Sequence, residues 1–413
     1  MTVPSPSHKL RIIVGGLVGQ FPLGGVAWDY FHYLLGLHAL GHEVYYYEDT
    51  WVWPYDPIKR YPVDEPTYTV KYLGDFFATY CPDLVDRWHY LFLHDKAFGM
   101  SKQSFAEVAR TADVFLNVSG ACFIPEELSP RCRKVFLDTD PGYNQIMLHE
   151  KHAWSQNIER WCEQVAAHDV HLTYAENIYA PDCVLPRMHF DWRPTRPIVT
   201  LPHWSWIKDR PAPREAPFTT VMSWTYYAGD LTYNGVKYDT KISEFMRFKD
   251  LPHRTAAPIL MAIGGHATPY EKIKAWGWNY IDAREMSLTP LSYQQFIVDS
   301  LAEWSIAKNF YVATNSGWFS CRTACYLAGA RPAVVQDTTW SRYVPAGRGV
   351  LAFNTMDQTL AAIDDVRTNY AAHCAAAYEI AREYLAPDRV LPPMLEAVYA
   401  SSQATAPRPP SLT

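Results

Sequence analysis

The strongest constraint on the fold is a repeated order of short apolar runs, glycine-rich turns and helix-spaced segments. The chain opens with the mostly apolar, β-branched run 10–14, which ends at the pair Gly15 and Gly16. Residues 26–40 then carry apolar side chains at helical spacing, and the run 42–47 follows. Apolar strands joined through a helix are typical of a parallel sheet covered on both faces. The order β–loop–α–β therefore predicts a doubly wound α/β domain.

The same alternation continues along the chain, so we expect a second domain of the same kind. Further strands are predicted over 114–118, 134–138, 171–175, 218–223, 259–263, 310–314, 333–336 and 350–353. Helices are predicted over 105–110, 153–168, 242–248, 291–307, 320–328 and 356–370. The predicted fold class is α/β, with two Rossmann-like doubly wound domains that face each other across a cleft.

A proline-dense stretch between residues 193 and 213 marks the predicted domain boundary, because closely spaced prolines stop helices and stiffen linkers. We expect an N-terminal acceptor domain over 1–197 and a C-terminal donor domain over 198–385. A C-terminal helix is expected over 386–400, and whether it crosses back to the first domain is left open. The polar segment 401–413 is expected to be disordered.

Composition excludes several classes of protein. The net charge of −6 and the absence of a long basic run argue against nucleic-acid binding. The eight cysteines are scattered without a CxxC pair, which favours reduced thiols over a disulfide framework or a zinc site. No segment is typical of a signal peptide or an integral membrane span. We therefore expect a cytoplasmic protein without a metal, and the oligomeric state stays open.

The segment 315–320 is predicted to bind phosphate. It joins the expected strand 310–314 to the expected helix 320–328. A helix N-terminus presents free backbone N–H groups and a partial positive charge, and both attract phosphate. The alternative is an ordinary N-capped helix. The residues that we expect at the phosphate are Ser316, Gly317, Ser320 and Arg322.

The residues that follow strengthen the first interpretation. The helix stops at Gly329, and the next strand ends at Gln336 and Asp337, where side chains would bond sugar hydroxyls. The run 327–335, LAGARPAVV, resembles the small-residue turn of the donor-binding core in GT-B-fold glycosyltransferases. In that superfamily a helix N-terminus holds the diphosphate of a nucleotide sugar. The Glu-x7-Glu pair of many retaining members and the plant-type His-Gly-Gly signature are absent, so the stereochemistry stays open.

The resemblance implies further donor contacts. An aromatic residue before the phosphate helix stacks on the nucleobase, and Trp276 or Trp278 is the candidate; a strand end with one buried face is the alternative. Lys241, which begins the helix 242–248, is the candidate for neutralising the diphosphate, unless it is a solvated lysine. His266 follows Gly264 and Gly265 at a strand end, where it either bonds a phosphate or ribose or caps a turn.

On the acceptor side, Gly24 and Gly25 would form a loop that faces the transferred sugar. Asp29 is predicted in the first turn of the following helix, either as a catalytic base or as a partner of the helix dipole. His32 on the same helix is a second candidate base. Asp140 lies in Asp138-Thr139-Asp140. An Asp-x-Asp motif binds metal in the other large glycosyltransferase fold. We interpret it here as a strand end at the cleft, which makes Asp140 a candidate base or acceptor contact.

These expectations define one leading hypothesis and two alternatives. The leading hypothesis is a metal-independent glycosyltransferase with no cofactor, which uses a UDP- or dTDP-linked sugar as co-substrate. The acceptor would be a small molecule or a glycan that offers a hydroxyl or similar nucleophile. The alternatives are a nucleotide-sugar epimerase of the same fold and a non-catalytic nucleotide-sugar binding protein.

Overall fold

The structure is a computed structural model that describes residues 9–150, 156–224, 231–265 and 267–400, with the backbone alone at 150 and 156–158. The predicted strand end at His266 and the expected disordered tail lie outside these residues. Within them the chain forms two parallel sheets, each flanked by helices.

The first sheet is built from residues 11–194. The strands of this part of the chain are β1 Arg11–Gly15, β2 Glu43–Asp49, β3 Tyr55–Asp56, β4 Tyr61–Pro62, β5 Trp88–Phe92, β6 Lys96–Gly99, β7 Val114–Val118, β8 Arg133–Asp138, β9 Val170–Thr173 and β10 Trp192–Pro194. The helices are α1 Gly24–Ala39, α2 Thr67–Tyr80, α3 Lys102–Ala109, α4 Tyr143–Glu150 and α5 Gln156–Ala166. The sheet order is β10-β9-β8-β7-β1-β2-β5-β6, and only the pair β5–β6 is antiparallel. Strands β3 and β4 form a separate hairpin.

The second sheet is built from residues 218–353. The strands of this part are β11 Phe218–Ser223, β12 Leu231–Tyr233, β13 Val236–Tyr238, β14 Ile259–Gly264, β15 Asn279–Asp282, β16 Ala302–Ser305, β17 Ala333–Gln336 and β18 Val350–Phe353. The helices are α6 Ile242–Phe248, α7 Tyr270–Ala275, α8 Ala283–Ser287, α9 Pro290–Val298, α10 Asn309–Ala313, α11 Cys321–Ala328, α12 Met356–Thr368, α13 Tyr370–Ile380 and α14 Pro387–Tyr399. The sheet order is β15-β14-β11-β16-β17-β18, and all its pairs are parallel.

Local sequence explains why these elements begin where they do. Ser320 caps α11, and its Oγ accepts a hydrogen bond from the backbone N–H of Thr323. Thr355 and Gln358 form a capping box at the start of α12. Strand β7 is buried along its whole length, as expected for a strand inside a parallel sheet. The predicted α/β architecture with two doubly wound sheets is confirmed.

Two predictions for the stretch that precedes the phosphate segment are wrong. The helix expected over 291–307 ends at Val298, and residues 302–305 form strand β16. The strand expected over 310–314 is the short helix α10. The misassigned stretches 302–305 and 310–314 span only four and five residues, and periodicity over so few residues does not separate a buried strand from a buried helix.

The two halves of the chain share one continuous apolar core. Trp28 of α1 packs against Trp204 in the connecting segment with the ring centroids 5.2 Å apart, and its indole N–H donates to the carbonyl of Pro290. The last helix, α14, lies against α1, because a Cβ added to Gly36 would come within 2.9 Å of Pro387. Arg133 of β8 also donates to the carbonyl of Val398. These contacts fix the orientation of α1 toward the second sheet.

Candidate active site

The N-terminus of α11 lies where the two halves of the chain meet. Helix α1 packs against α11, and the thiol of Cys321 hydrogen-bonds to the carboxylate of Asp29. Ser320 is the N-cap, so the first turn of α11 is regular and directs its N–H groups toward this junction. The structure therefore brings together two predicted residues, Ser320 and Asp29, from different ends of the chain.

Arg322 is held rigidly beside this helix start. Its Nε donates to Glu303 at 2.8 Å, its Nη1 to the carbonyl of Val221 at 2.9 Å, and its Nη2 to Ser305 at 2.5 Å. Glu303 is fully buried in β16. These three bonds fix the guanidinium at the carboxyl ends of β11 and β16, the edge at which ligands bind in parallel α/β sheets.

Two lysines add positive charge at the same place. Lys308 pairs with Asp140 at 2.6 Å. Lys241 precedes α6, and its pKa lies well below the ordinary value, first because it is buried and then because Arg322 and Lys308 are near. Among the residues that the structure describes, no carboxylate forms an ion pair with Lys241. Lys241, Lys308 and Arg322 therefore lie together at the start of α11, where Glu303 pairs with Arg322 and Asp140 pairs with Lys308.

Asp29 supplies an ionisable group on the opposite wall. Burial raises its pKa to about 6, although the hydrogen bond from Cys321 partly opposes this shift. The expectation that Asp29 lies in the first turn of its helix is wrong, because α1 begins at Gly24 and Asp29 is its sixth residue. Its alternative role as a partner of the helix dipole is weakened accordingly, since that interaction fades beyond the first turn.

The first half of the predicted phosphate segment has a different role. Ser316 is fully buried, and its hydroxyl donates to the carbonyl of Tyr311. The N–H of Gly317 donates to the carbonyl of Thr338. Gly317 has φ of +79°, and a Cβ there would lie 2.7 Å from the backbone nitrogen of Asn177. Ser316 and Gly317 thus form a joint with the first half of the chain, and their polar groups are used within the protein.

The same joint contains Asp140. Besides Lys308, its carboxylate accepts a hydrogen bond from the hydroxyl of Tyr311, and Trp318 donates to the carbonyl of Thr139 at 3.1 Å. Both oxygens of Asp140 are therefore engaged by the second half of the chain. This arrangement assigns Asp140 a positioning role for Lys308 and α10, and it disfavours the predicted role as a base.

The remaining donor candidates are dispersed. Trp278 is 2% exposed and donates to the carbonyl of Lys249, so its ring belongs to the core. Trp276 is half-buried at the end of α7, and its role at a nucleobase stays a prediction. Gln336 is buried and donates to Glu244 at 2.6 Å, while Asp337 accepts from Ser341. The side chains of both residues that were expected to bind the sugar thus form hydrogen bonds within the protein.

The acceptor candidates on α1 are also partly engaged. His32 is buried, its Nδ1 accepts from the N–H of Thr200, and burial holds its pKa well below the ordinary value. It is therefore a neutral core residue that links α1 to the connecting segment. The N–H of Gly25 donates to Ser287, and Gly24 lies against the carbonyl of Thr289. The glycine pair contacts the second half of the chain directly.

Sequence reasoning did not identify Lys308 and Cys321. Glu303 was placed in a helix, as a further candidate near the nucleobase, and not beside Arg322. The available signal for its burial was a single carboxylate in a short stretch with Ala302 and Trp304, because carboxylates are buried when they are paired.

Two parallel sheets, each flanked by helices and joined in one chain, are the architecture of the GT-B fold. An alpha-glucosyltransferase solved with UDP and a 13-mer DNA containing a central A:G mismatch has a TM-score of 0.60 at 11% identity, over 95% of this chain and 100% of that chain. AviGT4, a glycosyltransferase involved in avilamycin A biosynthesis, has a TM-score of 0.51 at 11% identity, over 94% and 97%. A glycosyltransferase from Rickettsia africae ESF-5 has a TM-score of 0.50 at 10% identity, over 95% and 98%.

At these identities the likeness defines the fold, which is the GT-B fold that the sequence predicts. No protein-family model matches the chain, and no curated protein matches it. In the described part of the chain, no helix combines the length and apolar character that crossing a membrane requires. Those same residues contain no group of three histidine, cysteine or acidic side chains arranged to hold a metal ion.

Proposed function

We propose that the protein is a glycosyltransferase that takes a sugar from a nucleotide-diphosphate donor. The observation that carries this proposal is the cluster of three basic side chains, Lys241, Lys308 and Arg322, beside the N-terminus of α11. A diphosphate carries negative charge on several oxygens, and charge-assisted hydrogen bonds from such groups are the strongest that a protein makes. The GT-B fold, one example of which was solved with UDP, supports the same assignment.

The positive cluster also suits the chemistry of transfer. When the bond between the anomeric carbon and the diphosphate breaks, negative charge builds on the departing diphosphate. Arg322 is already fixed by three hydrogen bonds, so it stabilises that charge without first having to be ordered. Basic side chains at a departing diphosphate can take the place of a metal ion, and we therefore propose a metal-independent reaction with a UDP- or dTDP-linked donor.

Asp29 is the proposed base. In the reaction the acceptor oxygen bonds to the anomeric carbon, the diphosphate leaves with the bonding electrons, and a carboxylate takes the acceptor proton. Asp29 is adjacent to the start of α11 through Cys321, and a pKa of about 6 leaves it largely ionised near pH 7.5. We propose a small molecule or glycan as the acceptor, because the net charge of −6 disfavours a nucleic acid.

The test combines binding with turnover. Purified protein is screened by thermal shift against UDP, dTDP, ADP and GDP and their glucose conjugates, with and without EDTA. We expect one nucleotide class to raise the Tm and a slow release of free sugar from its conjugate, both insensitive to EDTA.

The matched variants are Lys241→Ala at the site and Lys272→Ala on the exposed surface of α7. The first is expected to weaken nucleotide binding at least 10-fold and the second to leave it unchanged. Equal binding by both variants would contradict the assignment, and conversion of the donor into its epimer would favour an epimerase.

A further inference from the structure

A cavity of about 110 Å³ opens on the face of the first sheet that α3 covers. Successive side chains of a strand point to opposite faces. Accordingly, Tyr46 packs against Phe31 of α1, while Tyr47 stacks on Phe105 of α3. The cavity is lined from β2, β5, α3 and the segment 124–127, so it is separate from the positive cluster at α11.

His89 presents a hydrogen-bond acceptor to this cavity. Its Nδ1 lies 2.7 Å from the carbonyl of Met100, which can only accept, so Nδ1 carries the proton. Burial lowers the pKa of His89, and the ring is therefore neutral with a lone pair on Nε2. His89 is 1% exposed and lines the cavity. With Nδ1 engaged by Met100, Nε2 is the ring atom that can accept a hydrogen bond from a ligand or from water.

A second histidine at the same cavity is oriented in a similar way. The Nδ1 of His94 is hydrogen-bonded to Asp49, whose side chain is fully buried at the end of β2. The other carboxylate oxygen of Asp49 is buried and has no hydrogen-bond partner in the described part of the chain. The ring of Trp51 stacks on His94 with the centroids 4.3 Å apart. Asp49 thus holds His94 in place and leaves its Nε2 for a further partner.

The charges around the cavity are mixed. Glu126, Glu127 and Lys102 line it, and Glu127 and Lys102 act on the pKa of His89 in opposite directions. Carboxylates accept hydrogen bonds and an ammonium group donates them, so the cavity offers both kinds of partner. A neutral molecule with several hydroxyl groups uses both kinds, since each hydroxyl donates and accepts. About 10–15 Å³ admits one water, so 110 Å³ admits a molecule of several heavy atoms.

We propose that this cavity binds one neutral polyhydroxylated ring, a sugar or a cyclitol, with a ring hydroxyl donating to Nε2 of His89. This inference rests on the proposed function: the bound ring is the part of the acceptor that the enzyme recognises. The cavity lies on the sheet face that α3 covers, whereas Asp29 is on α1 at the opposite face, so the bound ring does not itself react at Asp29. The acceptor therefore extends beyond the bound ring, as a glycoside or an oligosaccharide does.

Binding is measured directly, without turnover, so that its outcome is independent of the proposed function. Isothermal titration calorimetry with methyl β-glucoside, cellobiose and myo-inositol as neutral probes, and glucosamine as a cationic probe, is carried out on the full chain. We expect at least one neutral probe to bind, and His89→Phe, which keeps the stacked ring, to weaken it at least 10-fold. The matched control, His189→Gln, alters an exposed histidine of the same half of the chain and is expected to leave the affinity unchanged.

A second variant tests the proposal if His89→Phe does not fold. Ile124→Trp fills the cavity from a surface segment and is expected to abolish the same binding. The proposal is overturned if no neutral probe binds, if glucosamine alone binds, or if His89→Phe and Ile124→Trp bind as tightly as the unaltered protein. Nucleotide binding should persist in both variants; if it is absent from the unaltered protein as well, the proposed function fails while the ring site can still stand.

Discussion

The two halves of the segment 315–322 are neighbours in sequence and differ in what their polar groups do. At Asn315–Gly317 the polar groups bond within the protein, partly across the two halves of the chain; Asn177, for example, donates to the carbonyls of both Asn315 and Ser316. At Ser320–Arg322 a helix start lies beside the basic side chains of Lys241 and Lys308. A loop whose hydrogen bonds are all made within the protein is structural, whereas basic side chains beside a helix start are typical of an anion site.

The largest expected effect belongs to Arg322. Arg322→Ala removes a fixed charge from the proposed diphosphate site and leaves Glu303 buried without its partner. Breaking a buried pair in this way costs about 3–5 kcal/mol of stability. We therefore expect both a lower free energy of unfolding, measured in urea, and a loss of sugar transfer of more than 100-fold.

The double variant Arg322→Ala with Glu303→Ala separates these two effects. Removing both charges should restore much of the lost stability, because no uncompensated carboxylate remains. It should not restore transfer. Recovery of transfer together with stability would show that Arg322 is structural.

The next largest effect is expected at Asp29. Asp29→Asn removes the proposed base, and general-base catalysis contributes typically about 100- to 10,000-fold, so kcat should fall in that range while nucleotide affinity changes little. In the unaltered protein kcat should rise with pH and level off above about pH 6, where Asp29 is ionised. Asp83→Asn, at an exposed position of the same half of the chain, is the control. An unchanged pH profile in Asp29→Asn would exclude Asp29 as the base.

The stability of the fold should change with pH in the direction opposite to kcat. Because the folded-state pKa of Asp29 is raised above the ordinary carboxyl value of about 4, its contribution to stability is fully present below pH 4 and is lost as the pH rises through about 6. Asp29→Asn removes this titration. The Tm of the variant at pH 8 should therefore equal or exceed that of the unaltered protein.

A substitution in the other half of the segment, Asn315–Gly317, should change stability and leave nucleotide affinity unchanged. Gly317→Ala introduces a Cβ at φ of +79° and 2.7 Å from the nitrogen of Asn177. Strain at one such residue costs about 1–3 kcal/mol, to which the clash adds. Gly235→Ala, at φ of +74° with open space around it, isolates the strain. A loss of nucleotide affinity in folded Gly317→Ala would contradict the structural role of the joint.

The smallest effect is expected at the exposed edge of the joint. Arg342 pairs with Asp182 at 2.6 Å, and both side chains are largely accessible to water. Exposed ion pairs contribute little to stability, because water and salt screen them. Arg342→Ala should therefore change the free energy of unfolding, measured in urea, only marginally and leave nucleotide affinity unchanged.

The sequence predicted the fold better than it predicted the site. Strands β7, β11 and β18 were predicted with their observed bounds, because β-branched and aromatic residues are enriched in strands. Ser320 was placed correctly at the start of α11, because a helix cap is a local feature. The roles of Ser320 and Arg322 at a phosphate stay predictions. The joint at Gly317, the pairing of Lys308 with Asp140, and the core position of Trp278 depend on contacts between distant segments. No local pattern specifies which polar group a distant residue will satisfy.

The most direct test of the central claim is a crystal structure of the protein with the nucleoside diphosphate that the thermal-shift screen selects. We expect the diphosphate to lie within hydrogen-bond distance of Lys241, Arg322 and the first-turn N–H groups of α11. A diphosphate bound away from this helix start, with Lys241 and Arg322 uninvolved, would contradict the account.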